Sequence, residues 1–138
     1  MSEIEYPTPS PHPTGLNAEW YAFCAKGELR FQRCSDCRRW RHPPRVHCAS
    51  CGSEKWTWER SSGNGRLYSW TVTHKPLHPS FAEVTPYAVV IVELEEGVRI
   101  VCSVRDLPID SLALELPVSI DFAHAGNDMA LPFARPRR

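Results

Sequence analysis

Cys34-Ser35-Asp36-Cys37 and Cys48-Ala49-Ser50-Cys51 are two C-x2-C pairs with ten residues between them. Four thiolates at about 2.3 Å complete a tetrahedral shell around a zinc ion, leaving no open position for water or substrate. Each pair places two sulfurs on one side of the ion, and backbone amides in the turn temper their charge. The spacing therefore predicts a structural Zn2+ ribbon with Cys34, Cys37, Cys48 and Cys51 as ligands. Iron in a rubredoxin-type site and a pair of disulfides are the alternatives, the latter disfavoured in a reducing compartment. His42 and His47 lie between the pairs, but four cysteines make them unnecessary as ligands.

Other reactive residues lack an evident partner. Cys24 and Cys102 read as small buried hydrophobes. His74 and His78 are four apart, but Pro76 and Pro79 disfavour a shared helical face. There is no nucleophile elbow, phosphate loop or dinucleotide fingerprint, and the carboxylates are scattered as on a solvated face. No catalytic residue is assigned. Trp56, Trp58 and Trp70 with Tyr68 read either as a stacking platform or as packing at the junction of two modules. Arg38, Arg39, Arg41 and Arg45 suit phosphate groups, or form a merely solvated basic face.

The elements that must position these residues follow from the rest of the chain. Its 138 residues, 42% hydrophobic and 23% charged, fit one domain or two small modules sharing a core. No apolar run of about 18 residues could span a bilayer, and the acidic start Met1-Ser2-Glu3-Ile4-Glu5 is unlike a signal peptide, so a cytoplasmic protein is expected. Sixteen basic residues balance sixteen acidic ones, but unevenly. Residues 34–60 carry a net charge of +3 and residues 61–134 one of −5.

Prolines at 7, 9, 11 and 13 predict an extended, poorly packed arm. Asn17 is placed to cap a short helix ending before Gly27, with Leu16, Trp20 and Phe23 on one face. Leu29 and Phe31 alternate with Arg30 and Gln32 in a strand running into Cys34. Four or five strands rich in β-branched and aromatic residues follow, including 67–72, 87–94, 98–104 and 118–122, with Glu95-Glu96-Gly97 as a tight hairpin. The expected fold is mainly β: an N-terminal helix, a rubredoxin-like zinc ribbon, then a five-stranded oligonucleotide/oligosaccharide-binding (OB) barrel, with a sandwich as the alternative for the last part. The expected division is 1–27 for arm and helix, 28–60 for the ribbon, and 61–138 for the barrel and basic tail.

An ordered series of segments carries a more specific signal. Gly27-Glu28-Leu29-Arg30-Phe31-Gln32-Arg33-Cys34, Pro43-Pro44-Arg45 and Cys51-Gly52 come first. Ser62-Gly63-Asn64-Gly65, Tyr68-Ser69-Trp70-Thr71-Val72, Pro86-Tyr87, Val92-Glu93-Leu94-Glu95-Glu96-Gly97 and Leu131-Pro132-Phe133 follow. In these the chain, from about Trp20 to Pro136, resembles the acyl-CoA-associated OB-fold proteins with an N-terminal rubredoxin-like zinc ribbon. The resemblance implies an accessory subunit, not catalytic alone, that binds or passes acyl-CoA in a hetero-oligomer. Its partner would be a thiolase-like or lipid-transfer-protein-like aldolase, as in bacterial steroid side-chain degradation, or a MaoC-like hydratase. The four cysteines carry over as zinc ligands. Arg38 departs from the pattern, standing where many relatives have glycine, which predicts either a strained φ or a slightly different geometry in the first knuckle.

Acyl-CoA needs cations for its phosphates and aromatic or apolar surface for the rest. Trp20, Tyr21 and Phe23 on the helix with Arg38, Arg39 and Arg45 on the ribbon are the contact residues this implies, for acyl-CoA or for the partner. The alternative is a single-stranded nucleic-acid module, since ribbons and OB barrels both occur there; the acidic barrel argues against it. A self-sufficient hydrolase or aldolase is a third reading, for which no acid/base set can be named.

Overall fold

The computed structural model describes residues 9–137, so the acidic start at Met1–Glu5, the first of the four arm prolines and Arg138 lie outside the described residues. Among the described residues one α-helix, α1 (Gly15–Ala25), precedes eight strands. These are β1 (Arg30–Cys34), β2 (Trp40–Arg41), β3 (Trp56–Arg60), β4 (Asn64–Thr73), β5 (Tyr87–Leu94), β6 (Arg99–Val104), β7 (Pro117–His124) and β8 (Ala130–Pro136). The strands form two bodies: a three-stranded ribbon in the order β2-β1-β3, and a closed barrel in the order β4-β5-β6-β8-β7.

The helix starts earlier than Asn17. Thr14, extended at φ −132°, is its N-cap, and Ala18 N–H reaches back to Thr14 O. Neither Asn17 nor Thr14 caps through its side chain. The far end is as the sequence requires: Gly27, at φ +77°, lets Gly27 N–H and Glu28 N–H fold back onto the carbonyls of Cys24 and Phe23. Trp20 and Cys24 are buried, because α1 packs across β1 of the ribbon and β7 and β8 of the barrel. The preceding residues are less detached than an extended arm would be, since Ser10 Oγ donates to Ala125 O and Pro11 and Pro13 are half-buried.

The barrel follows from alternation. Ala88, Val90, Val92 and Leu94 on β5 point inward, as do Ile100 and Cys102 on β6, while their neighbours face out. β4 is ten residues long, pairs with β5 along one edge and with β7 at Asn64–Arg66 on the other, and bends at a register shift between Leu67 and Ser69, a bulge that helps the sheet close. β6 and β8 run parallel and every other pairing is antiparallel. This is the five-stranded OB barrel, and the sandwich alternative falls with its closure.

One apolar cluster joins Trp20 and Cys24 of the helix, Leu29 and Phe31 of the ribbon, and the barrel interior. The linker adds a polar clamp. Ser61 N–H donates to Leu29 O, and the Glu96 carboxylate of the β5–β6 hairpin accepts from Ser61 Oγ and Ser62 N–H. Glu95 and Glu96 are therefore not merely solvated, as their position in a charged hairpin suggested; they hold the barrel to the ribbon.

Candidate metal centre and its flanking grooves

The two knuckles place four sulfurs together. Cys34 Sγ lies 3.6 Å from Cys51 Sγ and Cys37 Sγ lies 3.6 Å from Cys48 Sγ, with all four within 4.8 Å of one another. A tetrahedral ion with bonds of about 2.3 Å requires sulfurs roughly 3.8 Å apart, so the geometry fits. It does not fit disulfides, which need bonds near 2 Å, and all six cysteines are free. Among the described residues this is the one group of metal-ligating side chains.

Local backbone builds the cage. Arg38 N–H donates to Cys34 O and Gly52 N–H to Cys48 O, closing two equivalent turns. The residue after the last cysteine of each turn is left-handed: Gly52 at φ +77° and Arg38 at φ +66°. The expected strain at Arg38 is thus present, in a region that costs an L-residue roughly 1–2 kcal/mol. Backbone N–H groups aimed at sulfur favour the thiolate. The Cys37 N–H lowers the Cys34 thiol, and the N–H groups of Cys51 and Ser50 bring Cys48 down to about 6. Cys51 receives the Ser53 N–H, yet the other three thiols hold it up to about 12. Four thiolates at such separations need a cation, which is the chemistry this donor set supplies.

Neither histidine joins the sulfurs. His47 pairs with Glu54 at 2.8 Å. His42 is packed between Trp20 and Phe31, at centroid distances of 4.9 and 5.1 Å, and burial lowers it to about 4. His78 accepts from Ser80 N–H and caps a single 3-10 turn. Cys24 and Cys102 are buried and each is raised to about 12 by desolvation. Trp56 and Trp58 lie edge to face on β3, and Trp58 packs on Phe23 of the helix; Tyr68 sits on β4 under the Arg99 guanidinium, 3.7 Å away. The four aromatics are divided between ribbon and barrel and form no single platform.

The six contact residues anticipated from sequence separate into distinct places. Trp20 and Tyr21 line a groove of about 390 Å³ with Pro11, Pro43 and Pro44, and His42 forms part of its wall. Phe23 lies between Trp58 and the Arg30 guanidinium. Arg38 faces Glu59 at 3.7 Å. Arg39 and Arg45 line a second groove, of about 370 Å³, between the ribbon and the β5–β6 hairpin, where His42 again forms part of the wall. Trp20 is only 6% exposed and serves packing, whereas Tyr21 is half-buried.

Sequence reasoning missed two residues here. Gln32, in a position of the alternation that reads as outward, is fully buried, and its Oε1 accepts from Arg41 Nε at 3.0 Å and Arg45 N–H at 2.8 Å. The alternation fails because β1 is the central strand of the ribbon, and on the side away from the core Arg41 and the Pro43–Arg45 loop close over Gln32. Arg99 reaches the second groove only because the hairpin folds back on the ribbon, a contact that no local pattern announces.

The sequence matches two family models in tandem: the rubredoxin-like zinc ribbon domain of ChsH2 over residues 22–57, and the C-terminal OB-fold domain of ChsH2 over residues 58–123. A chain of the solved Ltp2-ChsH2(DUF35) aldolase superposes with a TM-score of 0.84 at 37% identity, covering 92% of this chain and 98% of that one. A DUF35 family protein of unknown function from Sulfolobus solfataricus, 11% identical with a TM-score of 0.60, shares the fold. Among curated proteins, the probable enoyl-CoA hydratase alpha subunit of Thermomonospora curvata is 38% identical over 93% of this chain, and this chain spans only 40% of it. The 3-oxo-4,17-pregnadiene-20-carboxyl-CoA hydratase alpha subunit of Mycobacterium tuberculosis is 37% identical over 69% of this chain and 30% of that protein. A DUF35 domain-containing scaffold protein of Methanothermobacter thermautotrophicus is 32% identical over 75% of this chain and 77% of its own length.

Proposed function

This chain belongs to the ChsH2 zinc-ribbon and OB-fold family, the DUF35 proteins, and from that premise we propose that it is an accessory subunit of a thiolase-superfamily enzyme acting on acyl-CoA. The single observation that carries the reading is its likeness, along 98% of the neighbour's length, to a chain of the Ltp2-ChsH2(DUF35) aldolase. The relatives named as alpha subunits support a hetero-oligomer, and the pregnadiene-carboxyl-CoA substrate in one of those names supports steroid side-chain degradation as the setting. A retro-aldolase of the lipid-transfer-protein-like kind is the partner favoured; a MaoC-like hydratase is the other.

In this role the zinc is structural, because four cysteines fill its shell. It locks the ribbon, and the ribbon with α1 and the hairpin shapes the two grooves that share His42 as a wall. The groove at Tyr21 offers proline and aromatic surface for an apolar arm, and Arg39 and Arg45 offer cations on the far side of His42. Phe23 packs on Trp58 and the exposed Arg38 faces Glu59, so both lie outside these two grooves. The division at 1–27, 28–60 and 61–138 and a cytoplasmic location belong to the same proposal; among the described residues no helix is long and apolar enough to cross a membrane.

The test is a nuclease-treated pull-down of the tagged chain from its native cell. Recovery of a thiolase-like or hydratase subunit is expected. Recovery of polymerase or single-strand-binding machinery without a CoA-handling enzyme would contradict the proposal.

A further inference from the structure

The groove between ribbon and barrel has an unusual lining. Arg39, Arg41, Arg45 and Arg99 converge on it, and no carboxylate lines it. Three of these cations, Arg39, Arg45 and Arg99, are exposed. Arg39 and Arg45 have no side-chain partner among the described residues, although Arg45 N–H is fixed to Gln32. Arg99 is oriented rather than free, since Glu93 accepts from its Nε at 3.0 Å and Tyr68 lies under its plane.

Arg41 carries the argument. It is only 8% exposed, and every acceptor it has is neutral: Gln32 Oε1 at 3.0 Å, Arg45 O at 2.9 Å and Val46 O at 3.5 Å. Its Nη1 is buried with no partner. A buried guanidinium without an anion is costly, and such sites are stabilised by an anion brought from outside. Cys48, one of the four clustered thiols, lines the same groove. Backbone N–H groups engage those sulfurs, and among the described residues no guanidinium donates to one.

We infer that this groove is a binding site for a phosphorylated organic anion, with Arg39, Arg45 and Arg99 gripping the phosphates above the fixed charge of Arg41. Planar guanidiniums pair with phosphate oxygens in bidentate fashion, and several together favour a ligand with more than one phosphate. The inference rests on the proposed acyl-CoA role only for the natural source of that ligand. The phosphates could belong to a CoA thioester or to a free nucleotide.

The experiment is isothermal titration of the full, zinc-loaded chain with adenosine 3′,5′-bisphosphate and, separately, with an acyl-CoA. The variant is the double substitution Arg39→Gln/Arg45→Gln, whose sites are exposed. Arg99→Gln is the second variant, because it leaves the ribbon untouched. Zinc content and melting temperature check that each is folded. Saturable binding of the bisphosphate is expected, weakened roughly 10-fold or more for each guanidinium removed and weakened further by added salt. Absence of bisphosphate binding to the wild-type chain, or equal binding by folded variants, would overturn the inference. So would tighter binding of an oligothymidylate than of the bisphosphate, which would give the groove to nucleic acid. If acyl-CoA binds wild type and variants alike, the site fails while the acyl-CoA role stands. If the bisphosphate binds and the variants lose it but acyl-CoA gains no affinity over it and no CoA enzyme is a partner, the site stands and that role fails.

Discussion

Gln32 and His42 show how single side chains set the ribbon. Gln32 supplies a charge-assisted acceptor to Arg41, and bonds of that kind contribute about 1.5–3 kcal/mol. Gln32→Leu keeps the volume but removes the acceptor, so a loss of that size is expected in chemical denaturation, with Arg41 Nε left unsatisfied. Stability equal to wild type would show that Arg41 finds another partner. His42 makes a pH prediction. Its pKa of about 4 lies below the unfolded value of about 6.5, so the unfolded chain takes up the proton first. The stability due to neutral His42 is complete above pH 6.5, falls as pH drops towards 4, and levels off below, by at most about 3 kcal/mol. His42→Phe keeps the contacts with Trp20 and Phe31 and is expected to flatten this part of the profile. Parallel profiles for the two proteins would locate the acid sensitivity elsewhere, in the thiolates above all.

The elements were legible in the sequence to different depths. The C-x2-C pairs gave the metal cage, because four thiols at that spacing have few other uses, and alternation gave β5 and β6 to within a residue. The start of α1 was misplaced because Asn17 is a good capping residue by type, whereas the chain turns at Thr14 and uses backbone alone. The grooves were the least legible. Arg39 and Arg45 were found by charge, but the place of Arg99 depends on the hairpin lying against the ribbon, and the burial of Gln32 on Arg41 and the Pro43–Arg45 loop closing over it. Metal removal separates the elements. On chelation, Cys34, Cys37, Cys48 and Cys51 are expected to become open to alkylation together, while Cys102, buried in the barrel and raised to about 12, stays protected. Mass spectrometry of the alkylated chain reads the difference. Labelling of Cys102 in step with the four would mean that the barrel cannot stand without the ribbon's metal.

At the scale of the molecule, ribbon, helix and barrel share one apolar cluster and one polar clamp, so the grooves between them are fixed features. Leu77, Val101 and Leu114 are exposed apolar side chains outside that cluster, at 91%, 65% and 68%. The central claim is that this body serves another enzyme. It is tested most directly by the initial rate of carbon–carbon bond cleavage by the thiolase-like partner on its acyl-CoA substrate, with and without stoichiometric zinc-loaded chain. A rate that is negligible for either protein alone and restored on mixing is expected. A partner equally fast without this chain, or cleavage by this chain alone, would contradict the account.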